Sequence, residues 1–213
     1  MQKKPAFYPT RETHSMAGLK IPKHPVTLKA GNEPISTSGK TLLDFWRWNS
    51  SDLVSNTTRG RLAEFIVASA FDIDLSVPRD EWGAWDLETS EGIRIEVKSA
   101  AYLQSWAQRD FSKITFSIRS ARAWDGDSGS MAEESQRSAN AYVFCLLVHR
   151  DKETLNPLNL GQWEFYVVTT AELNSLIPNG KSISLTTLKK LTQGIAYEKL
   201  HETVIEKAKN NLP

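Results

Sequence analysis

Three residues in one short stretch could do chemistry together. From Trp82 to Ala100 the chain reads WGAWDLETSEGIRIEVKSA; nine residues separate Asp86 from Glu96, and Lys98 follows two later. Apolar alternation on either side of Ser90-Glu91-Gly92 reads as two strands. A three-residue hairpin loop favours Gly at its last position, where φ must be positive. That turn pairs Thr89 with Ile93, Leu87 with Ile95 and Trp85 with Val97, all directed to the core. On the other face Glu88 opposes Arg94, Asp86 opposes Glu96, and Lys98 lies further along the same side. A one-residue slip would exchange the faces. Glu88 with Arg94 is an ordinary solvated pair. Asp86 across from Glu96 is not, because like charges directly across strands destabilise the sheet. Two remedies stay open. A divalent cation could bridge them, since Mg²⁺ needs only one or two protein carboxylates, or Lys98 could neutralise one without any metal.

The elements that must hold these residues come next. After SNTT, with Thr57 or Thr58 as cap, RGRLAEFIVASAF predicts a helix. Leu62, Phe65, Ile66, Ser69 and Ala70 form its stripe, and Val67, Ala68 and Phe71 widen it, so the helix should be largely buried. Glu64 within it needs Arg61, a lysine or a metal, because an unpaired buried carboxylate is costly. Earlier, TLLDFWRW predicts a short amphipathic helix with Leu42, Phe45 and Trp46 on one side. Beyond the hairpin, KITFSIRS turns Ile114, Phe116 and Ile118 inward as a half-buried strand. Residues 123–138 read as a mobile loop with at most one helical turn. AYVFCLLVH is a continuous apolar run suited to the centre of a covered sheet, and QWEFYVVTT is another strand. The C-terminal third is mostly helical: TAELNSLI from a threonine cap, TTLKKLT after a short ISL strand, and YEKLHETVIEKAKN. The fold class expected is α/β, a mixed β-sheet flanked by helices.

The 213 residues fit one domain over 41–213 behind an extended arm over 1–40. Pro5, Pro9, Pro22, Pro25 and Pro34 exclude a long helix or central strand from that arm. The formal charge is only +1 and the pI about 7.8, below the range common for nucleic-acid binders. The arm nevertheless holds seven lysines and arginines against two glutamates. No apolar run is long enough for a membrane span, and the N-terminus has no signal-peptide core. With Cys145 alone inside an apolar run, a reducing cytoplasm is expected. His14, His24, His149 and His201 are scattered, and no Gly-rich phosphate loop, GxSxG or CxxC occurs. The seven tryptophans read as core anchors, with Trp106 and Trp124, in polar connections, placed to touch a ligand.

Asp86 followed by Glu96-Val97-Lys98, behind a helix carrying Glu64, resembles the PD-(D/E)xK nuclease superfamily with its restriction-endonuclease-like fold. The resemblance covers residues 58–148, and Trp85 stands where the motif's proline is expected. It implies Asp86 and Glu96 as Mg²⁺ ligands (Mn²⁺ as a substitute), with the Val97 main-chain carbonyl as a third and Glu64 as an extra carboxylate. Lys98 would position or deprotonate the attacking water, or stabilise the phosphorane. Gln104 falls where some members have a downstream Gln. The implied activity is Mg²⁺-dependent endonucleolytic hydrolysis of DNA, in restriction or phage defence, with Arg109, Lys113, Arg119 and Arg122 as candidate phosphate contacts. Cleavage of both strands would imply a homodimer. The rival expectations are a silent nuclease-fold module that binds DNA or a protein, and an interaction module with a merely solvated hairpin face.

Overall fold

A computed structural model describes residues 26–125 and 129–209 of the chain. The first 25 residues of the proline-rich arm, with Lys3, Lys4, Arg11, Lys20 and Lys23, lie outside the described residues.

The chain runs β1 (Pro34–Ile35), β2 (Lys40–Thr41), α1 (Leu42–Ser50), α2 (Asn56–Ala70), β3 (Leu87–Glu88), β4 (Arg94–Ala101) and β5 (Thr115–Ser117). It continues through β6 (Trp124–Asp125), β7 (Ser130–Met131), β8 (Ala141–Leu147), β9 (Trp163–Thr169), α3 (Thr170–Leu176), β10 (Ser182–Ser184), α4 (Leu185–Leu191) and α5 (Leu200–Lys209). The main sheet has the order β3-β4-β8-β9. β4 is parallel to β8, whereas β3 and β9 pair antiparallel to their neighbours. It is a mixed α/β fold.

β8 is the centre of the sheet, and every one of its residues is buried. Its side chains alternate between two cores, as the two-residue strand period requires. Ala141, Val143, Cys145 and Leu147 pack with α2 and α5 residues such as Ala63, Ile66, Val67, Leu200 and Val204. Tyr142, Phe144 and Leu146 face the other way, onto Phe116, Ile118, Ile183, Leu173 and Leu188. Those partners come from α3, α4 and a separate two-stranded sheet in which β5 pairs with β10. The strand expected at KITFSIRS thus forms with its inward set intact, Ile114, Phe116 and Ile118 all buried.

Local capping fixes where the helices begin. Thr169 and Glu172 form a reciprocal capping box at α3, and Thr41 and Asp44 another at α1. α2 starts one turn earlier than its composition suggests, because Ser55 is the N-cap and accepts from the Thr58 N–H.

Three expectations fail. The buried stripe of α2 is Arg59, Ala63, Ile66 and Val67, with Ala68, while Phe65 is 56% exposed. The chain enters α2 rotated from the simplest apolar stripe because Arg59 is drawn inward, donating to the Val54 carbonyl, Asn56 Oδ1 and Gln104 Oε1. Residues 123–138 are not a plain loop: β6 pairs with β7, and Ala121 bridges Gln136. The tryptophans are mostly not core anchors. Trp163 is buried, but Trp46, Trp48, Trp82, Trp106 and Trp124 are exposed. No helix among the described residues is long and apolar enough to cross a membrane.

Candidate active site

The hairpin forms in the register its turn dictates. Leu87 pairs with Ile95 and Glu88 with Arg94; the Thr89 N–H donates to the Ile93 carbonyl at 3.0 Å. Gly92 takes φ +77°, the left-handed conformation the loop needs at its last position. Ile93, Ile95 and Val97 then point into the α2/α5 core, which leaves Glu96 and Lys98 on the opposite face. Arg94 and Glu88 approach to 3.8 Å with about half of each side chain exposed, a weak solvated pair.

The ladder changes character at Asp86. Its N–H donates to the Ile95 carbonyl at 3.1 Å, and its Oδ2 accepts the Val97 N–H at 2.7 Å. A side-chain oxygen thus replaces the main-chain acceptor that would continue the strand, and β3 stops at Leu87. The pairing of Trp85 with Val97 does not form. Trp85 is half-buried, and the Arg94 guanidinium lies over its ring at 4.0 Å. An aromatic face offers that cation attraction outside the core, so Trp85 is not a core residue.

Asp86 and Glu96 nevertheless share one position of positive charge. Lys98 Nζ is 2.5 Å from Glu96 Oε1 and 3.7 Å from Asp86 Oδ2. All three side chains are between 20% and 28% exposed, so their charges are only partly screened. Burial raises the Glu96 carboxyl pKa, the Lys98 charge opposes that rise, and Asp86 adds to it. Burial pulls the Lys98 ammonium down, but Asp86 and Glu96 outweigh it and hold the group above its ordinary value. In this arrangement Lys98 is a charge-neutralising ammonium between the two carboxylates.

Glu64 lies close enough to feel the same charges. Burial raises its carboxyl pKa first and Asp86 second, against the lowering effect of Arg79 and Lys98. Its partner is Arg79, whose Nε donates to Glu64 Oε2 at 2.7 Å. Arg61, the partner the sequence suggests, instead reaches Glu81 at 2.6 Å. Arg79 was illegible because it lies in the irregular connection after Pro78, where no periodicity relates it to the helix. Gln104 is away from the carboxylates: buried, it bonds Ser112 Oγ and the Ala101 carbonyl and accepts from Arg59. It braces the far end of β4. Val97 contributes its side chain to the core and its N–H to Asp86.

Asp86 and Glu96 open into a cleft of about 310 Å³ floored by Tyr142, the β8 neighbour of Glu96. Arg119, Arg122 and Trp124 line it; Arg109, Lys113 and Trp106 do not. Among the described residues no three His, Cys, Asp or Glu side chains gather as a metal cluster. Asp86 and Glu96 are the two carboxylates brought together at Lys98, while Glu64 is held by Arg79.

Residues 6–187 match the family model described as bacteriophage T4 endonuclease IV. No curated protein matches the chain. The match spans the hairpin, the whole four-stranded sheet and the cleft, and covers well over half of the sequence. The chain belongs to the bacteriophage T4 endonuclease IV family, a family of endonucleases.

Proposed function

We propose that the chain is a Mg²⁺-dependent endonuclease of the PD-(D/E)xK type that hydrolyses DNA phosphodiester bonds at Asp86, Glu96 and Lys98. The observation that carries this reading is the convergence of both carboxylates on one cationic position at the mouth of a cleft, in a chain of an endonuclease family. Asp86 and Glu96, with the Val97 main-chain carbonyl, would hold the metal, and Glu64 would join them once Arg79 lets it go. When bound, Mg²⁺ supplies a lowered water pKa and charge relief at the scissile phosphate.

The chain's own residues supply the rest. The Asp86 side chain is fixed by the Val97 N–H, so one ligand is preorganised by the sheet itself. Lys98, protonated, is placed to bind the scissile phosphate and stabilise charge developing there. Arg119 and Arg122 supply salt-dependent contacts to the strand's phosphates. The biological setting we infer, from the resemblance to PD-(D/E)xK nucleases, is restriction or phage defence.

Calorimetry tests the metal site directly. Titration of Mg²⁺ or Mn²⁺ into the full chain should show binding that Glu96→Gln removes. Equal binding by the wild type and by Glu96→Gln would reject these ligands.

A further inference from the structure

Five of the seven tryptophans are exposed, and two of them stand at the same cleft as the carboxylates. Trp82, 72% exposed, lies in the connection that leads to Asp86. The chain turns tightly beside it, since a Cβ on Gly83 would meet the Trp85 carbonyl at 2.9 Å. Trp124, 40% exposed, comes from β6, on the ribbon at the other side of the sheet connection. Both line the cleft that holds Asp86, Glu96 and Tyr142. Exposing indole surface to water is unfavourable by its area, and two elements distant in sequence do so around one opening.

Size and charge narrow the occupant. At about 310 Å³ the cleft is at the small end of ligand sites, of a scale for one nucleoside rather than a paired duplex. Arg119 and Arg122 line it too, the latter with its Nε tied to the Ala132 carbonyl at 2.5 Å. Aromatic faces with flanking guanidinium groups are the combination that binds a nucleobase and its adjoining phosphates.

We propose that this cleft is a nucleobase subsite: Trp82 and Trp124 stack against one unstacked base of the substrate strand, and Arg119 and Arg122 hold the phosphates beside it. The subsite rests on the reading of Asp86 and Glu96 as the phosphodiester-cleaving centre, because it places the base next to that centre. The base comes from a free single strand or from a nucleotide extruded from a duplex, and the chemistry of recognition is the same.

The test is made in EDTA, so that it does not depend on cleavage. Fluorescence anisotropy compares a labelled short oligothymidylate with a strand of equal length whose sugars carry no bases. The phosphate count, and hence the counterion term, is then common to both. The full chain should prefer the base-bearing strand by about tenfold or more. Trp82→Ala and Trp124→Ala should each erode that preference and together abolish it. Trp82→Phe and Trp124→Phe should retain most of it, and Trp106→Ala, away from the cleft, all of it. Absence of a preference, or one that survives the double alanine variant, overturns the proposal.

Annealing the oligothymidylate to its complement separates the sources: if the double alanine variant weakens binding of the free strand alone, the base comes from a single strand, and if it weakens binding of the duplex as well, the base is extruded. A base preference in a protein that cleaves nothing would keep the subsite and remove the nuclease reading. Cleavage lost in Glu96→Gln without a base preference would do the reverse.

Discussion

Asp86 Oδ2 accepts the Val97 N–H at 2.7 Å and stands 3.7 Å from Lys98 Nζ, so one oxygen both closes the sheet edge and carries charge into the site. Structure and chemistry can be separated there. Asp86→Asn keeps an acceptor for the Val97 N–H and should fold with little change in Tm. Its cleavage rate should fall about a hundredfold or more, since even partners one shell removed from a metal cost 10–100-fold. Asp86→Ala should lose activity and also about 1–3 kcal/mol of stability, because the Val97 N–H is left without its acceptor. Thermal melts and cleavage rates on both variants check the distinction.

Lys98 neutralises the pair, so its removal should separate folding from metal affinity. In Lys98→Met, Asp86 and Glu96 face each other with their shared cation gone. Without metal the variant should lose about 1–3 kcal/mol, less than for a fully buried pair, because these side chains keep some contact with water. Divalent cations should restore that loss, and the Mg²⁺-induced rise in Tm should exceed the wild type's. Cleavage should still be slow. Differential scanning fluorimetry across a Mg²⁺ series reads both effects.

Arg79 and Glu64 should behave as one unit. Arg79→Ala leaves the Glu64 carboxylate, 17% exposed, beside Asp86 without its 2.7 Å partner. A loss of about 1–3 kcal/mol is expected. Adding Glu64→Gln should recover part of it, giving a coupling of about 0.5–3 kcal/mol in a double-mutant cycle by urea denaturation. Additive losses would show that the two side chains are independent.

The hairpin was legible because its information is local. Ser90-Glu91-Gly92 fixes the turn, the turn fixes the pairing of Leu87 with Ile95, and the pairing puts Glu96 and Lys98 on one face. Legibility ended at Asp86, where a side chain took over a main-chain hydrogen bond. Composition gives no sign of such an exchange. β8 was legible for a different reason: an unbroken apolar run has no solvated face to offer, so it must be central. The α2 stripe was misjudged because Arg59, a charged residue, is buried by hydrogen bonds to Val54, Asn56 and Gln104. Val54 lies before the helix, Asn56 in its first turn and Gln104 beyond the far end of β4, and no hydrophobic period encodes such partners. The tryptophans were misjudged by chemistry alone, since an indole serves a core and a ligand surface equally well.

Acid stability offers a check on the fold away from the site. Burial alone would raise the Glu172 carboxyl pKa, but the Thr169 N–H and Lys207 hold it below the ordinary value of 4.5. The folded state thus favours the ionised form. Its contribution is present above the unfolded value and is lost as pH falls through the lower folded one. Glu172→Gln should lower Tm at neutral pH and flatten the acid limb of the curve below about pH 4.5. Parallel Tm–pH curves for the two proteins would show that the capping box does not titrate with folding.

The central claim is metal-dependent phosphodiester cleavage by the hairpin carboxylates. Its most direct test is incubation of the full chain with single-stranded and duplex DNA in Mg²⁺ or Mn²⁺, with and without EDTA, beside Glu96→Gln and Lys98→Ala. The account predicts cleavage that EDTA stops and that both variants lose, while Lys98→Ala melts like the wild type in Mg²⁺ and Glu96→Gln melts like the wild type in EDTA. Cleavage that persists in EDTA, or undiminished in Glu96→Gln, would contradict it.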